Sequence, residues 1–588
     1  MDHARGPGVE DEEKNIGGNG SNSPVLKTGT VSVVNVDEVG SGPQHGADTP
    51  APRGILAKLR HYEDILDRKL GIEVHSIVRK KPEERDPKFR TWQQQALMMM
   101  MWFSSCCNLA CFTTGFIGYE FGLDLKTTLL IIFFGNILGT MLPVSAPPLL
   151  REASGSVRVA DGTQGFCAVL GVRMGLRSVS MMRYSMGWYG AKLIAVFNVV
   201  EQCGWTAVGA ITGGLALSAV TNRAIGSALG VVILAVVSLF LSLIGVKGVM
   251  RYEKYSGIVY FVIFLIMYGQ AAYVADFSTA PELGHFEGGN RTAGILSMVS
   301  IMYASSASWG SIIADFYVDY PVNTRWYKVA GLTMAGICMC SLERLLCPTN
   351  TTPGIPSVTG MSLGAIVASC LHSNPVWKEA YDDKMKGIGF LVQHMLHPTP
   401  FAKVCLTILS MSSLGMMSLS LYSIGIAIQQ LGRPVAKVPR FIYTALAFTA
   451  VTLLGVIGAE RLIPFLVNFL SLLGYWATAY IMIVVLEHYL FRSGYKGYSM
   501  YNLEVWNDPS QLPVGWAGCS AFILGLVGAI FGMSEAWHQG PLAKLIGSND
   551  IINGRMAHFA DIGNEVCFVV TVLVFIPVRW LELRIMKR

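Results

Sequence analysis

The chain is 588 residues long, 52% hydrophobic and only 14% charged, a composition far from that of a soluble domain and typical of a polytopic membrane protein. Its net charge of +6 comes from cations gathered in a few connections and carries no indication of nucleic-acid binding. No nucleophile elbow, metal-ligand cluster or phosphate-binding glycine loop appears, so no enzyme is indicated and no cofactor is expected.

Residues 1–52 are rich in Gly, Ser, Pro and acidic residues with scarcely an aromatic, and read as a disordered cytoplasmic tail. A charged n-region followed by an apolar h-region is missing, so no cleaved signal peptide is expected. Residues 53–95 form a cytoplasmic pre-membrane segment, with an amphipathic helix over 55–70 and a solvated charged run from Arg79 to Arg85. Apolar stretches of about 20 residues, each long enough to span a bilayer, follow. Twelve are found, near 96–119, 128–148, 190–218, 225–245, 256–276, 294–315, 327–347, 402–424, 441–459, 463–486, 514–535 and 564–583. The expected class is an all-α polytopic membrane protein with twelve transmembrane helices. Residues 96–486 hold the first ten, 487–583 the last two with a preceding cytoplasmic loop, and 584–588 a cytoplasmic C-terminus.

Cations fix the orientation. Arg151, Arg158, Arg173, Arg177 and Arg183 in one connection, Lys247, Arg251 and Lys254 in another, and Arg433, Lys437 and Arg440 in a third share a side if both termini are cytoplasmic. The other side carries isolated cations such as Lys126, Arg223, Arg291 and Arg461; Lys378, Lys384 and Lys386 lie in a loop over 348–401 too long to weigh much. The sequons at Asn290 and Asn350 then fall outside. The 12 cysteines sit mostly in apolar spans, as Cys106, Cys107, Cys111, Cys203, Cys338 and Cys340 do, where they act as small hydrophobes.

The first and sixth spans are each interrupted near the middle, by Ala110-Cys111-Phe112-Thr113-Thr114-Gly115 and by Ser305 to Ser311. Discontinuous segments at corresponding places in two halves point to a five-plus-five inverted-repeat transporter with broken helices one and six. Small residues that merely aid helix packing are the other reading. Trp205 lies within Gly204–Ala210 of the third span and Trp309 within Ala304–Ser311 of the sixth. A flat aromatic beside small residues makes a platform for a flat ligand, so the pair points to a transporter of small ring compounds.

The connections carry more specific text. It runs Arg183-Tyr184-Ser185-Met186-Gly187-Trp188-Tyr189-Gly190-Ala191-Lys192, then Tyr320-Pro321-Val322-Asn323-Thr324, Glu379-Ala380-Tyr381-Asp382-Asp383 and Ala436-Lys437-Val438-Pro439-Arg440-Phe441. Glu504-Val505-Trp506-Asn507-Asp508-Pro509 and Asp561-Ile562-Gly563-Asn564-Glu565 close the series. In order and spacing, from about residue 70 to 585, the chain resembles the fungal purine–cytosine permease branch of the nucleobase–cation symporter family. The resemblance implies a plasma-membrane importer that moves a small planar heterocycle with a cation by alternating access, H+ being favoured over Na+. It implies that the substrate stacks on Trp205 and Trp309 and that Ala110 and Cys111 of the first helix contribute to the site.

The departures are as informative. The family carries an asparagine one turn after the third-helix tryptophan, where this chain has Gly209. The family's asparagine-rich stretch around a proline in the eighth helix is here Met416-Met417-Ser418-Leu419-Ser420, so Met416, Leu419 and Ser420 enter the site without amides. A site that hydrogen-bonds a ring discriminates through its buried polar groups. The platform is kept and the polar rim is changed. Vitamin B6 compounds such as pyridoxine, which distant fungal relatives of this branch transport, are therefore the alternative substrate class. A non-transporting nutrient sensor is the remote alternative.

Charges within spans are functional hypotheses by default. Glu201 shares a helix face with Trp205 at i and i+4. It is read as a coupling-proton site, a partner for a cationic substrate, or a packing group. Asp315 holds the end of the sixth helix or belongs to the proton path. Glu343 with Arg344 reads as an ion pair, Glu253 as a salt-bridge partner of Arg251 and Lys254, and His488 as interfacial. The expected partners are the heterocycle and the lipid bilayer, with no nucleic acid and the oligomeric state left open.

Overall fold

The computed structural model describes residues 58–62, 65, 77–141, 163–272, 285–338, 360–383, 387–492, 500–552 and 555–586. These lie in the second of two units, Pro52–Arg588. The tail over 1–52, Arg151, Arg158, Lys384, Lys386, the Glu343–Arg344 pair, the sequon at Asn350 and most of the helix expected over 55–70 lie outside the described residues.

Long apolar runs leave the backbone to satisfy its own hydrogen bonds, and this chain does so with helices. In order they are α1 Trp92–Cys106, α2 Leu109–Thr114, α3 Leu125–Met141, α4 Thr163–Met174, α5 Arg183–Val220, α6 Ser227–Leu243, α7 Val246–Ala272 and α8 Gly288–Ala307. Then follow α9 Trp326–Cys338, α10 Gly360–Ser369, α11 Thr399–Ser410, α12 Leu414–Gln429, α13 Arg440–Gly458, α14 Leu462–Leu486, α15 Trp516–Gly532 and α16 Gly563–Met586. Among the described residues, five helices are long and apolar enough to cross a membrane, six if the bent pair α1–α2 is one span. Five further apolar helices are shorter. Strand pairing among the described residues is confined to two small hairpins, Ser534–Glu535 with His538–Gln539 and Ile551–Ile552 with Arg555–Met556.

Helix α5 is the hub, packing on α6, α11, α12, α13 and α14. Glycine makes the closest of these approaches possible: a Cβ at Gly230 of α6 would lie 2.7 Å from the carbonyl oxygen of Gly214 in α5. At its start α5 is bent at Gly187, whose φ of 71° an L side chain rarely adopts. Beyond the hub, Arg579 of α16 is buried and forked by Glu487 at 2.8 Å and Glu582 at 2.9 Å, which pins α16 to the end of α14.

Two stretches expected as connections contain helices. The run over 149–189 holds α4, whose Gly165 and Gly171 sit against Ala330 and Ala314. The loop over 348–401 holds α10 and two short helices, Pro375–Asp382 and Gly387–Met395. Both α4 and α10 fall well short of a membrane-spanning length, which is why an apolar-length rule passes over them.

Both expected interruptions are present. The first falls at Cys107–Asn108, just before the expected run, and bends the chain by 49° between α1 and α2–Glu120. Asn108 caps α2, its side-chain oxygen accepting the Cys111 N–H at 2.9 Å, so Ala110 and Cys111 sit in the helix rather than in the break. The sixth span ends α8 and passes through two tight turns, Ser308–Ser311 and Ile313–Phe316. There Ser305, Ser308 and Ser311 donate to the carbonyls three residues back, at 2.9, 3.3 and 2.8 Å. Helices α11 and α12 together make one candidate span, Thr399–Gln429, with a local turn at Met411–Ser413.

Candidate substrate site

The break after α8 places the Trp309 ring opposite Trp205 of α5, with centroids 6.4 Å apart and planes inclined by only 18°. Both rings are buried. Edge-on neighbours fix each one: Trp102 against Trp309 at 5.5 Å, and Phe469 of α14 against Trp205 at 5.7 Å. Trp102 is itself held, its indole N–H donating to the Tyr317 hydroxyl at 3.1 Å. A flat ring between two others needs roughly 7 Å between the outer planes, twice an optimal carbon–carbon contact. At 6.4 Å the pair is closed: a third flat ring would fit between the two only if they parted by at least about 0.6 Å.

Below the clamp, Glu201 joins α5 to the break. Its carboxylate accepts the Ser311 hydroxyl at 3.1 Å and the Gln202 amide at 3.3 Å, while Asn198 donates to the Ser311 carbonyl at 3.2 Å. Asp315 lies further along, its carboxylate accepting the Ser178 N–H at 2.8 Å and its carbonyl accepting Arg177 at 3.0 Å. Those bonds tie the second turn of the break to the segment between α4 and α5.

The remaining expected site residues divide. Helix α2, with Ala110 and Cys111, packs on α5, and Cys111 also faces Gly360 of α10. Helix α12 packs along α5 through Gly209, where a Cβ would lie 2.8 Å from Met417 Cγ and 3.0 Å from Ser413 Cβ. The volume that a side chain at 209 would take is thus filled by Met417. Met416 turns to the first break, where the Asn108 amide meets its sulfur at 3.9 Å; Leu419 and Ser420 are buried, with the Ser420 hydroxyl unpartnered.

A cavity of about 620 Å³ lies apart from this cluster and is lined by none of the expected substrate residues. Leu215, Tyr381, Val467 and the 534–536 turn wall it, and six carboxylates face it against Arg461 and His558. Two of the six are close neighbours: the Tyr475 hydroxyl donates to Asp561 at 2.6 Å and to Glu535 at 3.5 Å. Burial, and then the Asp561 charge, push the Glu535 carboxyl up to about 9; burial also raises Asp561.

Several residues escaped sequence reasoning. Trp102 hides in a methionine run and Phe469 in an apolar span, with no local signal. Asn108 did carry one, as a capping residue before a helix. Glu253, expected as a salt-bridge partner of Arg251 and Lys254, is instead fully buried, and among the described residues neither carboxyl oxygen has a partner, while Arg251 and Lys254 are exposed.

Discontinuous helices that meet in the interior are a feature of secondary transporters, and the comparisons agree on that class. A family model described as a permease for cytosine/purines, uracil, thiamine and allantoin matches residues 86–146. The purine-cytosine permease FCY2 of Saccharomyces cerevisiae is 27% identical over 497 residues, 83% of this chain and 83% of its own. The vitamin B6 transporter TPN1 of the same yeast is 25% identical over 565 residues, 88% of each chain. The solved structure of Mhp1, a nucleobase-cation-symport-1 family transporter with bromovinylhydantoin bound, matches with a TM-score of 0.53 and 13% identity, over 87% of this chain and 95% of that one. It shows the shared fold. Over most of its length the chain is thus similar to fungal purine–cytosine permeases and to a vitamin B6 transporter, in line with the resemblance carried by its connecting motifs.

Proposed function

We propose that this protein is a proton-coupled importer of a small planar heterocycle, working by alternating access in the plasma membrane with both termini cytoplasmic. The observation that carries the reading is the Trp205–Trp309 clamp at the break of the sixth span. A π-faced ligand gains about 1–3 kcal/mol from stacking on one such ring, and the closed spacing suits an occluded state between two openings. Twelve spans in a five-plus-five repeat complete the proposal, and the relatives' purine and cytosine transport supplies the substrate class.

A second reading, vitamin B6 import, is favoured by one particular contact. Met417 fills the space beside Gly209, so no amide reads the ring edge from that turn, and the relative TPN1 is named for vitamin B6. Uptake of tritiated cytosine and tritiated pyridoxine, side by side in permease-null yeast, separates the two. Uptake of either that is lost in Trp205→Ala at equal surface amounts supports a clamp importer and names its substrate. Uptake unchanged in Trp205→Ala would overturn the clamp.

A further inference from the structure

Glu253 lies in the first turns of α7 and is fully buried. Among the described residues, its carboxyl oxygens have no hydrogen-bond partner and form no ion pair. An ionised carboxylate stripped of water and partners costs several kcal/mol, so the group is stable there only with a proton or a cation bound to it.

Its surroundings are built for that choice. A Cβ at Gly415 would fall 1.2 Å from Glu253 Oε1, so the carboxyl occupies the room that a side chain on α12 would take. Gly415 is the second residue of α12, and a helix start presents free N–H groups and a positive dipole end, which lowers the cost of the ionised form. From the last turn of α1, Ser104 packs on Gly257, one turn along α7 from Glu253, and interacts with the carboxyl. The hydroxyls of Ser105 and Ser413 are buried and unpartnered among the described residues. Among the described residues, the titratable neighbours are Cys107 in the break after α1 and Tyr252 and Tyr260 of α7 itself, and none of them is a cation.

The position is also mechanical. Tyr252 and Tyr260 both donate to the Met411 carbonyl, at 2.9 and 3.1 Å, within the turn between α11 and α12. Ser412 in the same turn accepts the Leu109 N–H at 3.1 Å, from the first residue after the first break. Glu253 therefore stands on the helix that is tied to the Met411–Ser413 turn, which is itself tied to the break between α1 and α2.

We propose that Glu253 is the group that binds the coupling proton, a role that rests on the proton-coupled import proposed above. Water on the outer side gives up a proton to the carboxylate, the neutral acid lets the junction close, and release to the cytoplasmic side regenerates the carboxylate. Glu201, with both oxygens already hydrogen-bonded, then serves to hold the clamp.

The test uses the full-length chain in sodium-free proteoliposomes, with tritiated cytosine and tritiated pyridoxine as probes, for the wild type and Glu253→Gln. For one proton per substrate, an inward gradient of one pH unit supports accumulation up to about tenfold. The expected result is such accumulation by the wild type, and exchange without accumulation by Glu253→Gln. Equal gradient-driven accumulation by both would overturn the role of Glu253 and leave proton coupling standing. A wild type indifferent to the pH gradient, or driven by Na+ when Na+ is supplied, would overturn proton coupling and this proposal together. Infrared pH-difference spectra of the purified proteins give a readout that needs no substrate. A carboxylic-acid C=O band present in the wild type and gone in Glu253→Gln is expected, and identical spectra would overturn the assignment.

Discussion

Gly209 and Met417 are expected to be coupled energetically, because one occupies the room that the other's side chain would need. In Gly209→Asn the new Cβ lands 2.8 Å from Met417 Cγ and 3.2 Å from its Sδ, with Ser413 Cβ at 3.0 Å. An optimal carbon contact is about 3.5–4.0 Å, and Cγ lies too near the backbone to swing clear. Overpacking of this kind costs about 1–3 kcal/mol, and a buried amide without partners adds about 1–3 kcal/mol. Met417→Ala alone leaves a hole in a fully buried site, worth about 2–5 kcal/mol. In the double variant the asparagine enters that hole, so the combined cost should fall short of the sum by about 1–3 kcal/mol. Unfolding of the purified proteins in mixed detergent micelles, read for all four members of the cycle, measures the difference. Additivity within about 0.5 kcal/mol would refute the account, since it would mean that the two side chains never compete for space.

Three further outcomes follow from other contacts. Glu535 holds its proton up to about 9, against an ordinary value of 4.5, so the folded protein keeps a proton that the unfolded chain releases. Stability from this group is full below about 4.5 and fades as pH rises toward about 9, so wild-type melting temperatures should fall across that window more steeply than those of Glu535→Gln; parallel curves would refute it. Arg579→Ala leaves Glu487 with Arg492 alone and Glu582 with the Gly515 N–H alone, and should cost about 3–5 kcal/mol in the same micelle assay, a loss under about 1 kcal/mol speaking against the buried fork. Asp315→Asn keeps an oxygen for the Ser178 N–H and should retain uptake, whereas Asp315→Ala orphans that donor at about 1–3 kcal/mol; lost uptake in Asp315→Asn at normal surface amounts would instead place Asp315 on the proton path.

How much of this molecule its sequence discloses depends on the range of the forces involved. The clamp was legible because its determinants are local: a tryptophan among small residues, and serines that satisfy an unwound turn by bonding three residues back. The first break was placed a few residues late, although Asn108 marks it by an ordinary capping rule. The filling of the Gly209 side by Met417 was not legible, since two residues so far apart in the chain meet only once α5 and α12 pack. Glu253 is the instructive error. Its sequence neighbours Arg251 and Lys254 suggested a salt bridge, but residues one or two positions away on a helix point elsewhere; those that share a face are three and four away. For Glu253 these are Val249, Met250, Ser256 and Gly257, of which Val249, Met250 and Gly257 are buried. A carboxylate whose own helix face carries no cation can be partnered only by another helix, and the helix that meets it here brings a glycine and serine hydroxyls, which leaves the charge to be settled by a bound proton or cation.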